Sequence, residues 1–155
     1  MQYGIVQAEQ ATFVSLFLKA ETIKQVGLPI KEFFIWGDDI EFTRRITVRK
    51  KIPSYIAGQS KVIHAMKENT GSNIATDIPE RIERYKYAFR NEGYLYRKEG
   101  WKGICYYFAK CGWNIIKVIK CAENYKIKRI LLIFISVTKG LFFNPKIEYV
   151  KSERA

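Results

Sequence analysis

Residues 12–18, Thr-Phe-Val-Ser-Leu-Phe-Leu, are an almost unbroken run of β-branched, aromatic and aliphatic side chains, the pattern of a strand buried on both faces. Residues 19–26 then read as a short helix, ended by Gly27 and kept from resuming by Pro29. A second aromatic run, residues 33–36, predicts another strand. From Asp38 the period becomes helical, with Ile40, Arg44 and Val48 four residues apart. Residues 53–57 and 61–64 predict two short strands around Gly58-Gln59, and the polar run 66–78 predicts a loop. Past Pro79 the pattern predicts three long helices, over about 79–98, 101–122 and 126–142.

The pattern divides the chain near residue 78. Residues 1–78 form a mixed α/β piece, and residues 79–155 a helical tail. No glycine-rich phosphate loop precedes the first predicted strand, so the α/β piece reads as the second half of a domain.

Composition narrows the possibilities. A hydrophobic content of 48% and an aromatic content of 15% exclude a disordered chain. Residues 1–80 carry 10 Lys and Arg against 9 Asp and Glu, whereas residues 81–155 carry 17 against 6. Any attraction for anions therefore belongs to the tail. Cys105, Cys111 and Cys121 include no C-x-x-C pair and read as reduced, buried thiols. Residues 1–20 lack a signal-peptide pattern, and no uninterrupted apolar run is long enough to span a bilayer.

The chemistry concentrates at Asp38-Asp39-Ile40-Glu41, where the second aromatic run gives way to the helix. Asp38 suits the N-cap, and Glu41 stands where a capping-box acid would reach back to it. Asp39, about 100° round the helix, is then left to face a cleft and to act as a general base. The alternative is that all three acids serve the helix start and pair with Arg44 and Arg45. His64 is the one histidine; alone it suits a hydrogen-bonded structural role, and as a metal ligand it would need carboxylates from elsewhere. In the tail, Lys110, Lys117 and Lys120 fall within about 80° of arc on an otherwise apolar, aromatic helix. That stripe suits a helix lying in a membrane interface. A helical core with a solvated basic face, or an oligomer interface, is the other reading. No nucleic-acid motif accompanies the charge.

Three stretches together resemble the C-terminal half of family 2 glycosyltransferases, in the galactofuranosyl- and rhamnosyltransferase-like branch. They are residues 12–46 (TFVSLFLKAETIKQVGLPIKEFFIWGDDIEFTRRI), 60–73 (SKVIHAMKENTGSN) and 84–98 (RYKYAFRNEGYLYRK). The resemblance implies a partial GT-A domain, its acceptor and catalytic half, followed by amphipathic helices. It implies Asp39 as catalytic base, Asp38 and Glu41 as its companion acids, Trp36 lining the acceptor site and His64 completing a Mg²⁺ or Mn²⁺ site. The implied reaction is inverting transfer from a UDP- or dTDP-sugar to a glycan or lipid-linked acceptor, on the cytoplasmic face of the membrane. The family's D-x-D metal motif has no counterpart in residues 1–32. A truncated or two-chain enzyme is therefore expected, or else a silent module that binds membrane or protein without a donor.

Overall fold

Gly27 ends the first helix as its position predicts. In the computed structural model, which describes residues 4–65 and 71–150, α1 spans Ala20–Val26. Gly27 takes φ +81°, and its N–H returns to the Ile23 carbonyl at 2.8 Å. A Cβ there would lie 2.5 Å from Ile147 Cγ2 and 2.8 Å from the Glu148 carbonyl oxygen, so only glycine fits. The same carbonyl accepts the Leu28 N–H, and Lys31 pairs with the Glu148 carboxylate. α2, Asp38–Arg44, runs on into one π-helical turn at Arg45–Arg49. Val26, Phe42 and Ile46 make a small core with Leu16, Leu18 and Ile52 packed on it. β1, Ile5–Gln7, pairs antiparallel with β2, Tyr55–Ala57, Val6 standing opposite Ile56. With residues 4–32, 38–65 and 145–150, these elements form the first of two compact units.

Three predicted strands are absent. Within residues 12–18 only a 3-10 turn, Phe13–Ser15, is regular, and Phe17 is 88% exposed. A strand needs a ladder partner, and among the described residues only β1 and β2 pair. Threonine hydroxyls of α2 and its π turn hold this end of the chain instead. Thr43 Oγ1 accepts the Ala11 N–H at 3.2 Å, and Thr47 donates to the Glu9 carbonyl at 2.6 Å. Residues 61–64 are likewise irregular and exposed. Of the predicted loop, residues 66–70 lie outside the described residues.

The third missing strand, residues 33–36, belongs to the second unit, which takes in residues 33–37 and 71–144. After a 3-10 turn at Lys31–Phe33, Phe34 and Trp36 adopt φ +63° and +62°. Left-handed residues at alternate positions break the pleat of a strand. Each costs about 1 kcal/mol, so something must hold them. Asn91 does so, its Nδ2 donating to the carbonyls of Phe33, Ile35 and Trp36 at 2.9–3.0 Å. Phe33 meets the rings of Tyr94 and Phe143, and Trp36 that of Tyr85. Asn91→Asp keeps the shape but turns a donor into an acceptor facing three carbonyls. It is expected to lower stability by roughly 1–3 kcal/mol, read as a fall in the urea midpoint. An unchanged midpoint would remove Asn91 as the clamp.

The helical part follows the predicted periodicity. A 3-10 segment, Pro79–Arg84, leads into α3, Tyr85–Arg97; α4 spans Gly100–Cys121 and α5 Lys126–Phe142. α3 and α5 approach at two glycines. A Cβ on Gly140 would sit 2.9 Å from the Arg90 carbonyl oxygen, and one on Gly93 would sit 3.1 Å from Gly140 Cα. Ile82, Tyr85, Phe89, Tyr107, Val118 and Ile133 fill the core. Arg129 is buried and donates to the carbonyls of Ile74, Asp77 and Asn124.

Two expectations for α4 change. Only Cys111 is buried, its thiol pushed up to about 11 chiefly by burial; Cys105 and Cys121 are exposed. Lys110 leaves the expected basic stripe, because its Nζ is 2.7 Å from Glu92 Oε1 on α3.

Candidate active site

The three acids at the start of α2 lie in three different environments. α2 begins directly at Asp38, after Gly37 at φ +85°. The carboxylate that meets the helix start is that of Asp39, whose Oδ1 accepts the Ile40 N–H at 2.8 Å. The sequence reading gave that duty to Asp38. Asp39 is half-buried, and loss of solvent raises its pKa above the ordinary 3.8. The Ile40 hydrogen bond opposes the rise, and the neighbouring Asp38 charge adds to it. Its main chain is fixed from below by the Thr43 hydroxyl, which donates to the Asp39 carbonyl at 2.7 Å. A half-desolvated carboxyl with a raised pKa, on a rigid helical start, has the character of a general base.

Glu41 does not reach back to the helix start. It is 2% exposed and turned inward, where it forms an ion pair with Arg45 and approaches Arg49 Nη1 at 3.6 Å. Arg45, itself 3% exposed, sends Nη1 to the carbonyls of Val26 at 2.8 Å and Leu28 at 3.0 Å. Those are unsatisfied acceptors at the end of α1. The pair thus joins α2 to the C-terminus of α1 inside the first unit. Its i,i+4 spacing was legible in the sequence; its burial was not.

The remaining sequence-derived candidates are dispersed. Trp36 is half-buried against Tyr85 in the second unit. His64 is exposed on the irregular segment after β2. A cleft of about 790 Å³ in the first unit is lined by residues of the 8–19 and 52–62 stretches together with Thr43, Ile46 and Thr47, and Asp39 is not among them. Among the described residues, no three His, Cys, Asp or Glu side chains form a group that could hold a metal ion. One exposed imidazole does not make a Mg²⁺ or Mn²⁺ site, since hard cations take several oxygen ligands. The set the resemblance implies is not assembled by the described residues.

Comparison with known proteins gives one informative relative. Over 93 residues the chain is 28% identical to the galactofuranosyltransferase GlfT1 of Mycolicibacterium smegmatis. The match covers 57% of this chain and 30% of that enzyme, so the chain spans under a third of its relative's length. No family model matches, and no solved structure matches. The similarity supports a relationship to glycosyltransferases at that distance and nothing finer.

Proposed function

We propose that the chain is the catalytic, acceptor-side part of an inverting glycosyltransferase that uses a UDP- or dTDP-sugar. The observation that carries this reading is Asp39, a half-buried carboxyl of raised pKa at the first turn of α2. The partial similarity to a galactofuranosyltransferase supports the reaction class. Asp39 takes the proton from an acceptor hydroxyl as that oxygen attacks the anomeric carbon, and the nucleoside diphosphate departs from the opposite face. The neighbouring Asp38 charge helps hold the Asp39 pKa up. Trp36 supplies an aromatic surface for acceptor sugars, and the acceptor is a glycan or lipid-linked glycan. Glu41 belongs to the scaffold through its ion pair with Arg45. Mg²⁺ or Mn²⁺, implied by the resemblance, is not assigned to ligands in this chain.

The protein works at the cytoplasmic face of the membrane. Among the described residues, no helix is long and apolar enough to span a bilayer; the basic helices, which carry most of the excess of Lys and Arg, make the membrane contact.

The test is transfer itself. The intact protein is incubated with labelled UDP- and dTDP-sugars and a membrane extract containing lipid-linked glycans, and label is followed into the organic-soluble and polymeric fractions. Transfer with release of nucleoside diphosphate is expected. Membrane binding with no donor consumption, and no heat of binding for either donor class, would leave the silent membrane-binding module in its place.

A further inference from the structure

α5 presents a stripe with no partner among the described residues. Ile127, Leu131, Phe134, Ile135 and Phe142 fall within about 100° of arc, and each is 54–81% exposed. The stripe runs the length of the helix, on the order of 22 Å. Beside it, a groove of about 640 Å³ opens between α3 and α5, floored by Ile127, Leu131, Leu132 and Ile135. Cations line this groove from both helices: Lys86 and Arg90 from α3, Lys128 and Lys139 from α5. Arg90 is held in place by stacking 4.1 Å over the Phe143 ring and donating to Asn91 Oδ1. Lys128 shares its charge with Glu83 at 2.9 Å. Lys86 and Lys139 are exposed.

We infer that this α3–α5 flank, rather than the lysine stripe of α4, is the seat on an anionic bilayer. The groove takes one phospholipid, its phosphate among Lys86, Arg90 and Lys139 and its acyl chain along the stripe of α5. The inference rests on the membrane contact of the proposed function and says which surface makes it. The α4 stripe is the weaker contact, because Lys110 is already paired with Glu92. A second copy of the chain is a poor occupant, because self-association through this face brings like-charged rims together. Nucleic acid would match the cations and leave the apolar floor unmatched. An amphiphile with an anionic head satisfies both, and lysine stems laid along apolar surface let the ammonium groups reach the phosphates.

The test is flotation of the full chain with phosphatidylcholine vesicles, with and without phosphatidylglycerol. Binding is expected only with phosphatidylglycerol and is expected to weaken with salt. Lys86→Gln and Lys139→Gln should each lower vesicle affinity about five-fold, and Ile135→Asp should abolish it. Lys117→Gln with Lys120→Gln should leave it unchanged. All these side chains are at least partly exposed, so helical circular dichroism should be preserved in every variant. Loss of binding in the α4 variant with retention in the groove variants would overturn the assignment. Equal binding to neutral vesicles, or a dimer in sedimentation that ignores vesicles, would also overturn it. Transfer by an intact protein that binds no vesicle sinks this seat and spares the transferase reading; vesicle binding without transfer does the reverse.

Discussion

Glu41→Leu is expected to lower the stability of the first unit by about 3–5 kcal/mol, the cost of stranding a buried charge. Both side chains of the Glu41–Arg45 pair are almost fully withdrawn from water, so solvent does not screen the loss. Arg45 would keep its two carbonyl acceptors at the end of α1 but would have no buried negative charge to balance it. The double variant Glu41→Leu/Arg45→Met removes both charges and should recover part of the loss. Full recovery is not expected, because the Val26 and Leu28 carbonyls then lose their donor. The measurement is the urea midpoint of the four proteins in a double-mutant cycle. Glu41→Gln tells scaffold from catalysis. A folded Glu41→Gln protein with an unchanged midpoint and no transfer would return Glu41 to the chemistry.

The same pair explains which parts of the molecule were legible in the sequence. Periodicity carries a helix, since each turn pairs with itself; hence α1, α4 and α5 begin and end near their predicted positions, and α3 ends near its own but begins six residues late, after the 3-10 segment Pro79–Arg84. The aromatic runs at 12–18 and 33–36 look like strands by the same local criterion, but a strand is completed by a partner elsewhere in the chain. In this chain threonine hydroxyls hold Glu9 and Ala11, just ahead of the first run, and the Asn91 amide holds the second. No local pattern announces a side chain 58 residues away that donates to Phe33. The acid cluster divides in the same way. Its position at a helix start was legible from residue order, whereas the inward turn of Glu41 and the capping by Asp39 depend on the end of α1 and the neighbouring backbone. Lys110 shows the converse error, a cation counted as surface until Glu92 of another helix neutralised it.

Asp39→Asn is expected to reduce transfer by roughly 10²–10⁴-fold while leaving fold and donor affinity nearly intact. Asparagine can still accept the Ile40 N–H through its amide oxygen, so the first turn of α2 should persist, but an amide takes no proton from an acceptor hydroxyl. Loss should therefore fall on kcat, with donor KM little changed. The acid limb of the wild-type pH profile gives an independent reading. A base must be ionised, so rate falls as pH drops through its folded-state pKa. Burial raises that pKa above 3.8, so the fall should begin at a higher pH than an ordinary aspartate gives. Stability carries the opposite sign. Ionising Asp39 opposes folding, so the advantage of its neutral form is complete below the ordinary value and is lost as pH rises through the raised one. Asp38→Asn removes the neighbouring charge that also raises the pKa, and should move the acid limb to lower pH without abolishing transfer. If the limb stays in place in Asp38→Asn, the Asp38 charge does not act on the base; if Asp39→Asn transfers sugar at the wild-type rate, the proton goes to another group.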